Sequence, residues 1–409
     1  MTVTARKMKR DLTVEEQLAR GPMDLPFLML TLMLTGIGLV MVFSASYATA
    51  YYDGVVAKHD PTYYFVRQAL FGVLGIVALY VVSRINYQHY RWLAVFALMF
   101  AFLCLILVFT PLGFGKATTG AQRWIRVPGL GSFQPSEVAK LGVILYFSSR
   151  LSKRSTEKRK KYDLRKPSGR LLDLLDRIGF VELVPYMLIL GAVALLMLME
   201  PHMSGTILIL VGGAAVLFAG GIKLGWFVAG GTVVGAGLWF IMTKTSYMAA
   251  RLAIWKDPWS DPLNGGYQTI QSLYAIGSGG LLGVGLGNSR QKFNYLPEPE
   301  NDYVFSITCE ELGYIGAAII IILFALLVIR GYWIALHARD RFGALLVVGI
   351  TTLVAVQVFL NIAVVTNLIP PTGISLPFFS YGGTALVIQL VEMGIVLSVS
   401  RQIPAPRQG

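Results

Sequence analysis

The sequence predicts an all-α polytopic membrane protein with about ten transmembrane helices and a large extracytoplasmic loop before the eighth helix. Of its 409 residues, 55% are hydrophobic and only 14% are charged, whereas a soluble domain carries about 25% charged residues. Uncharged runs recur along the whole chain. Most of them approach or exceed the roughly 18 apolar residues that a spanning helix requires.

Six of these runs each predict one helix, namely 25–52, 92–115, 183–199, 201–222, 224–243 and 312–329. Two further helices are predicted at about 64–82 and 133–149, although both segments contain charged residues. The stretch 342–391 is uncharged over fifty positions, and Pro370-Pro371 divides it into two helices because proline ends a helix. The ten helices are expected to form one domain of residues 25–401.

The distribution of positive charge predicts the orientation. With ten spans, the tails 1–24 and 402–409 share one side with the even-numbered connections. With Arg401 at the end of the last span, that side carries 24 of the 35 Lys and Arg residues. The positive-inside bias assigns it to the cytoplasm, so the basic loop 150–180 is cytoplasmic and the loop 244–303 is extracytoplasmic. Nucleic-acid binding is disfavoured because Tyr162 is the only aromatic residue in the basic run.

The end of the long external loop is rich in acids. The segment LPEPENDY (296–303) holds Glu298, Glu300 and Asp302 immediately before the eighth helix. One interpretation of Asp302 is a helix N-cap, which would also keep it ionised. Because one cap does not explain three acids, a second interpretation is a general base that, with Glu298, would also bind a divalent cation.

Charged residues inside or between the spans suggest a structural ion pair or a water-filled cavity. Glu137 and Lys140 are three residues apart and share a helical face, which favours an ion pair over an anion-attracting lysine. Glu310 and Glu311 lie about two turns into the eighth helix, where they require a partner or a cavity. Glu200 brings a further carboxylate to the outer face, although a plain turn explains it equally well.

Two external loops supply candidate substrate-binding residues. Arg123 and Trp124 in GAQRWIRVPG suit either an interfacial anchor or a guanidinium that binds phosphate. The loop 370–384, PPTGISLPFFSYGGT, cannot form a straight helix, and such backbone at membrane depth must be buried by protein or line a cavity. A tight structural loop is the alternative. We assign Ser380 and Tyr381 to substrate binding, together with Lys292 and Glu298 of the long loop.

Nucleotide and zinc motifs are absent from the sequence. It contains no G-x-x-x-x-G-K-[ST], no G-x-G-x-x-G, no H-E-x-x-H and no Cys/His cluster. A nucleotide cofactor is therefore not indicated, and the free energy for any reaction must come from the substrate itself.

Together, these motifs resemble the SEDS family, the FtsW, RodA and SpoVE proteins of bacterial division, elongation and sporulation. The resemblance is carried, in the family's order across residues 25–401, by GAQRWI, QPSEVAK, MEPHMSGT, DPWSDPLNGGYQ, YLPEPENDYVF, EELGYIG and TGISLPFFSYGG. The segments DPWSDP and YLPE are more similar to FtsW or SpoVE than to RodA.

The resemblance implies a peptidoglycan glycosyltransferase that polymerises lipid II, an undecaprenyl-pyrophosphate-linked disaccharide-pentapeptide, outside the bacterial cytoplasmic membrane. The family's catalytic aspartate falls on Asp302, and its intramembrane ion pair falls on Glu137 and Lys140. Asp302 would accept the proton of a sugar hydroxyl. Mg²⁺ or Mn²⁺, with Arg123 or Lys292 nearby, would stabilise the leaving pyrophosphate.

The implied partners are lipid II, the growing glycan chain, a single-span class B penicillin-binding transpeptidase and other division or sporulation proteins. Three departures from the family pattern leave the proposed base in place. His202 stands where the family usually has an acid after the Glu-Pro motif, Glu300-Asn301 replaces His-Thr or His-Asn, and Thr384-Ala385 replaces Ser-Ser.

Two other functions remain open from the sequence. A lipid II flippase would use the intramembrane acids and broken helices as a translocation path. A non-enzymatic scaffold would only recruit the transpeptidase through its helical faces. Clustered acids on the outer loop favour the enzyme, since neither a scaffold nor a transport path requires them there.

Overall fold

The computed structural model describes residues 21–115, 122–127, 131–153, 173–176, 179–200, 202–244 and 252–403. Within these ranges, ten helices have 17 residues or more: α1 Leu25–Tyr52, α2 Tyr63–Arg84, α3 Gln88–Leu107, α4 Pro135–Lys153, α5 Phe180–Met199, α6 Met203–Ala219, α7 Leu224–Lys244, α8 Val304–Leu336, α9 Arg341–Val365 and α10 Gly383–Ser400. Each of the ten predicted helices corresponds to one of them. The largest differences from the uncharged runs are that α3 ends earlier, α8 begins earlier and α10 ends later.

Seven of the ten described helices are long and apolar enough to cross a membrane. Helix α4 falls short because it contains Glu137, Lys140 and two basic residues in its last turn, and α6 has only 17 residues. The prediction of a helical multi-pass membrane protein is therefore confirmed, while the exact number of ten crossings stays a prediction.

Helix α1 begins where the sequence provides a cap. The Asp24 carboxylate accepts a hydrogen bond from the Phe27 N–H at 3.0 Å, and proline follows in the first turn. The same carboxylate accepts hydrogen bonds from the Arg330 guanidinium, with Nη2 2.8 Å from Oδ2. Because Arg330 lies near the end of α8, this ion pair fastens α1 at the end of the bundle opposite Asp302.

Helix packing leaves α2 on one side of the bundle. It packs against α10 and α1, whereas α4 packs against α3, α6 and α9. Gly394 permits the close approach of α10 to α2, since a Cβ at this position would lie 2.7 Å from the Leu79 carbonyl oxygen. The space between α2 and helices α4 and α6 forms a cavity.

A small sheet adds strands that the all-α prediction omitted. Strands β1 Gly113–Phe114, β2 Trp124–Val127 and β3 Gly131–Phe133 form an antiparallel sheet with β2 at the centre. These strands are too short to show the two-residue periodicity by which a β-strand is recognised in a sequence. Only buried Ile125 followed by exposed Arg126 shows the alternation of a strand. The sheet leads directly into α4 and so positions Arg123 and Trp124.

Helix α8 is broken at Gly313, where φ is 69° and ψ is −173°. The backbone groups that the break frees are bonded to the segment 279–285, which follows a 12-residue loop helix, Tyr267–Ser278. The Val284 N–H donates to the Glu310 carbonyl at 3.0 Å, and the Tyr314 N–H donates to the carbonyl of Gly280 at 2.9 Å. The long loop thus completes the hydrogen bonding of a broken membrane helix.

Several predicted regions lie partly outside the described residues. These include most of the tail 1–24, most of the basic loop 150–180, the start of the loop 244–303 and the end of the tail 402–409. The predicted domain boundaries and the predicted orientation therefore stay predictions.

Candidate active site

A cavity of about 610 Å³ lies between helix α2 on one side and helices α4 and α6 on the other. Residues of α9, α10 and the segment 373–382 complete its wall. Eight residues singled out from the sequence line it, namely Arg123, Trp124, Glu137, Lys140, Glu298, Asp302, Ser380 and Tyr381. Four others do not belong to its lining: Glu200, Lys292, Glu310 and Glu311. The fold thus brings together loops and helices that are distant in the sequence.

Asp302 lies in the turn before α8, but it does not cap that helix. The N-cap is Tyr303, so the interpretation of Asp302 as an N-cap is wrong. The Asp302 carbonyl accepts a hydrogen bond from Asn361 Nδ2 of α9 at 2.8 Å, and the same amide donates to the Ile374 carbonyl at 2.6 Å. Asn361 therefore fixes the backbone of Asp302 to the segment 373–382.

Gly373 brings this segment against the Asp302 side chain. Its φ is +65°, and a Cβ built at this position would lie 2.9 Å from Asp302 Oδ2. The carboxylate therefore lies against bare backbone, where any larger residue would displace it. Ser204 at the start of α6 donates to the Gly373 carbonyl at 3.2 Å, which ties the segment to the opposite wall of the cavity.

Ser380 and Tyr381 form hydrogen bonds to the acidic turn, residues 298–302, which carries Asp302. Ser380 Oγ donates to the Asn301 carbonyl at 2.7 Å, and the Tyr381 N–H donates to the Glu300 carbonyl at 2.8 Å. These bonds show both residues supporting the turn that carries Asp302. Since both also line the cavity, their predicted contact with substrate is a second role that stays a prediction.

Gln68 connects α2 to the same segment. Its side chain is fully buried, donates to the Ser380 carbonyl at 3.2 Å and accepts from the Gly382 N–H at 3.1 Å. An amide that satisfies both a buried carbonyl and a buried N–H is costly to remove. Helix α2, the segment 373–382 and the acidic turn are thereby joined in one hydrogen-bonded unit.

The electrostatic surroundings of Asp302 suit proton transfer near neutral pH. Burial raises the pKa of the Asp302 carboxyl to about 6, the Glu298 carboxylate adds to the increase and Arg123 opposes it. The expectation that a helix cap keeps Asp302 ionised is replaced by a balance of burial and two neighbouring charges. A base whose pKa is near the working pH is best placed to accept a proton.

Glu298 and Asp302 are the two carboxylates predicted to hold a divalent cation. Glu298 is exposed and has a φ of 49°, a left-handed conformation that is uncommon for glutamate. Among the described residues, no group of three metal-ligating side chains occurs. The pair fits Mg²⁺ or Mn²⁺ only as a partial site, because Mg²⁺ often takes one or two carboxylates and completes its shell with water and substrate phosphates.

Arg123 is the loop arginine that reaches the cavity. It is half-buried, whereas Arg126 is exposed and lies over the Phe114 ring at 5.1 Å. The positive charge of Arg123 lowers the pKa of Asp302 and the pKa of Glu200, and so acts against the increase that burial causes in both. Trp124 follows it in β2 and pairs with Phe114 in the sheet.

Glu137 and Lys140 form the ion pair that their spacing predicts. Lys140 Nζ lies 2.8 Å from Glu137 Oε2, both side chains are buried, and Gln357 Oε1 accepts a further bond from Nζ at 3.3 Å. Both members line the cavity. The pair thus joins α4 to α9 while presenting charge to the cavity.

Lys292 belongs to a different cluster, and we revise its assignment to substrate binding. Its Nζ is buried, lies 3.0 Å from Glu311 Oε1 and donates to the Gly287 carbonyl at 2.6 Å. Glu310 accepts hydrogen bonds from Ser289 Oγ at 2.5 Å and from the backbone N–H of Arg290 at 2.9 Å. The two acids therefore hold the long loop onto broken helix α8.

Glu200 is buried behind the cavity. Burial raises the pKa of its carboxyl to about 8, with Arg123 acting in the opposite direction. At neutral pH most of it is protonated, so it adds little negative charge to the cavity.

Several cavity residues were missed by sequence reasoning, although each is a polar residue in or beside an apolar run. They are Arg67, Gln134, His202, Gln357 and Gln389. An uncharged polar residue in or beside a membrane span is a weaker signal than an acid, which explains why the three glutamines and His202 were missed. Arg67 is charged, but it lies near the end of its predicted span, where an arginine is common. The spacing of these residues in sequence does not reveal that they meet.

Comparison with known proteins gives a consistent result. The family model for FtsW, RodA and SpoVE, described as cell cycle protein, matches residues 25–404. The chain is 41% identical to stage V sporulation protein E of Bacillus subtilis over 92% of its own length and 97% of the relative's. It is 38% identical to the probable peptidoglycan glycosyltransferase FtsW of Geobacter sulfurreducens, covering 93% and 95% of the two chains.

The fold also matches a solved structure. One chain of a peptidoglycan synthase complex, solved to show the structural coordination of polymerization and crosslinking, superposes with a TM-score of 0.70 at 26% identity, covering 93% of this chain and 98% of that one. Sequence and fold agree over nearly the whole length. The chain belongs to the FtsW, RodA and SpoVE family of membrane proteins.

Proposed function

We propose that this protein is a peptidoglycan glycosyltransferase that polymerises lipid II on the outer face of the bacterial cytoplasmic membrane, with Asp302 as the general base. The observation that carries the proposal is the placement of Asp302. A carboxyl with a pKa of about 6 lies in a cavity that also presents arginine and an apolar wall. Relatives at 38% identity carry the same enzyme name.

The apolar wall of the cavity suits a lipid-linked substrate. Leu70 and Leu74 of α2 line the cavity, and yet they are 66% and 50% exposed. Side chains that face both a cavity and the bundle surface mark an opening toward the lipid. A polyprenyl chain can lie along this opening while its sugar reaches the acidic turn.

The reaction proposed is an inverting displacement. Asp302 accepts the proton of a sugar hydroxyl on one lipid II as the oxygen attacks the anomeric carbon of the growing chain, and polyprenyl pyrophosphate leaves. Arg123 stabilises the negative charge that develops on the pyrophosphate. A divalent cation on Glu298 and Asp302 would supply further charge stabilisation when bound.

Orientation follows from the positive-inside bias. We place both termini in the cytoplasm and the Asp302 cavity outside, because the connections on the opposite side carry most of the Lys and Arg residues. The fold match to a peptidoglycan synthase complex supports a penicillin-binding transpeptidase as partner. A role in division or in sporulation agrees with the two relatives described above.

The flippase remains the second candidate, because the cavity is open to lipid and contains buried charges. Polymerisation of labelled lipid II by the purified protein in detergent separates the two, since a flippase needs a membrane and forms no polymer. The assay is run with and without the transpeptidase and with EDTA. Glycan strands from the purified protein, alone or with its partner, are the expected result; no polymer under any of these conditions would reject the enzyme.

A further inference from the structure

Helix α2 presents to the cavity one face that has a charged end and an apolar remainder. Arg67, Leu70, Phe71 and Leu74 all line the cavity, and their spacing places them on one face of the helix. Arg67 is exposed, and Leu70 and Leu74 are 66% and 50% exposed. The two leucines form the lipid-facing wall of the proposed site, but the proposed reaction does not use Arg67.

Arg67 lies at the same end of the bundle as the acidic turn. Its neighbour Gln68 is hydrogen-bonded to the segment 373–382. Burial raises the pKa of the Tyr381 hydroxyl and the positive charge of Arg67 acts against this increase, so the guanidinium is close to Tyr381. Leu74 follows about 10 Å further along the helix axis, at 1.5 Å per residue. The cationic end of the face is therefore next to the segment that holds the acidic turn.

The Arg67 guanidinium has no acidic partner among the described residues, since no Asp or Glu oxygen there lies within 4.0 Å of its nitrogens. It lies over the Tyr63 ring, 4.5 Å from the centroid. An arginine on an aromatic face keeps N–H donors at the edge of its planar group. These donors suit a phosphate group, which a guanidinium binds in bidentate fashion.

The α2 face has the same order of polarity as a polyprenyl pyrophosphate. An anionic head group at Arg67 would place the polyprenyl chain along Leu70 and Leu74, which face both the cavity and the surface of the bundle. An arginine that only anchors a helix at the membrane interface would not need to line a cavity. The position of Arg67 therefore favours a lipid phosphate as its ligand.

Two arginines reach the cavity from different elements, and two pyrophosphate groups take part in the proposed reaction. Burial raises the pKa of Asp302, and Arg123 is near enough to oppose the increase, whereas Arg67 acts on Tyr381 instead. The donor's pyrophosphate is bonded to the reacting anomeric carbon, so it must lie near Asp302. The acceptor's attacking hydroxyl is on the far sugar of its disaccharide, so the acceptor's pyrophosphate must lie further away.

We propose that Arg67 binds the pyrophosphate of the acceptor lipid II, whose polyprenyl chain lies along Leu70 and Leu74, while Arg123 serves the donor. The assignment rests on the proposed function. The acceptor's pyrophosphate has the same charge before and during the displacement, whereas the donor's pyrophosphate gains charge as it leaves. Arg67 should therefore contribute to substrate binding, and Arg123 to the rate of the chemical step.

The first test measures binding of undecaprenyl pyrophosphate to the purified protein in detergent, with undecaprenol as the probe that lacks phosphate. Arg67→Gln removes the charge. Arg126→Gln is the matched control, because Arg126 is also exposed and lies over a ring, that of Phe114, but does not line the cavity. Both are made in an Arg123→Gln background, so that binding at Arg123 does not mask the effect.

We expect Arg67→Gln to bind undecaprenyl pyrophosphate on the order of tenfold to a hundredfold more weakly than Arg126→Gln, the loss of a hydrogen bond to a charged group, with undecaprenol binding unchanged. Equal binding of the pyrophosphate by the two variants would overturn the site, as would a matching loss for undecaprenol. Displacement of the pyrophosphate by phosphatidylglycerol that requires Arg67 would assign the site to a lipid headgroup and overturn the substrate assignment.

The second test separates the acceptor from the donor by initial rates of lipid II polymerisation, in single variants. Arg67→Gln should raise the KM for lipid II on the order of tenfold to a hundredfold and leave kcat within about threefold, whereas Arg126→Gln should change neither. A fall in kcat at unchanged KM would overturn the acceptor assignment. A parent that forms no polymer under any condition, but binds undecaprenyl pyrophosphate through Arg67, would reject the proposed function and leave the phosphate site in place.

Discussion

Gly373→Ala tests whether the position of the Asp302 carboxylate controls activity. The new Cβ would lie 2.9 Å from Asp302 Oδ2, whereas ordinary contacts begin at about 3.4 Å. The carboxylate must therefore move by roughly 0.5 Å, and a misplacement of about 1 Å costs on the order of a hundredfold in rate. We expect a tenfold to hundredfold lower rate of lipid II polymerisation. Alanine in the left-handed region also costs about 1–2 kcal/mol of stability.

Gly280→Ala separates the two effects of that substitution. Gly280 has a φ of +55°, and a Cβ built there meets no atom within 4 Å. It should lose the stability that a left-handed alanine costs, without the added contact at Gly373, and it should retain the parent's polymerisation rate. The two rates are measured at a temperature at which both variants are folded. If Gly373→Ala is no slower than Gly280→Ala, the contact between Gly373 and Asp302 does not position the base.

Two further predictions concern charge. Because Asp302 must be deprotonated to act, polymerisation should fall as the pH drops below about 6. Glu298→Gln removes a charge that raises the pKa of Asp302, so the fall in rate should occur at lower pH. Arg123→Gln removes a charge that lowers this pKa, so the fall should occur at higher pH. The pH–rate profiles of both variants check this, and profiles that move in the same direction, or not at all, would contradict the assignment. Lys292→Met leaves Glu311 buried without its cation and should cost about 3–5 kcal/mol of stability, measured by thermal unfolding. The control Lys256→Met, at an exposed position, should cost almost nothing. Equal losses in the two variants would refute the buried ion pair.

The helices could be predicted from the sequence because membrane insertion depends on long apolar runs, which charge and proline interrupt. The break in α8 could not. Gly313 is one of many glycines, and its conformation depends on hydrogen bonds to the segment 279–285, which is distant in sequence. The short strands were missed for a similar reason, since two to four residues define no period.

The acidic turn shows how far local sequence identifies a site. Glu298, Glu300 and Asp302 alternate within five residues, but the fold gives each a different environment. Glu298 is exposed, Glu300 is buried and accepts a hydrogen bond from Thr49 Oγ1 at 3.3 Å, and Asp302 lies in the cavity. Sequence composition indicates an acidic site, the family resemblance selects Asp302, and only the fold shows how burial and Arg123 set its pKa.

Lys292 illustrates the opposite outcome. A lysine in an external loop rich in glycine was a reasonable candidate for binding pyrophosphate. Its partner, Glu311, is nineteen positions away and lies on the broken helix, so the ion pair depends on the path of the long loop. Helical spacing predicts the pair of Glu137 and Lys140, but no such rule applies between a loop and a helix.

The most direct test of the central claim is polymerisation of labelled lipid II by purified Asp302→Asn protein beside the parent. The amide keeps the size of the side chain but cannot act as a base, so we expect at least about a hundredfold less polymer from a variant that is folded. Polymer formed by Asp302→Asn at the parent's rate would contradict the account.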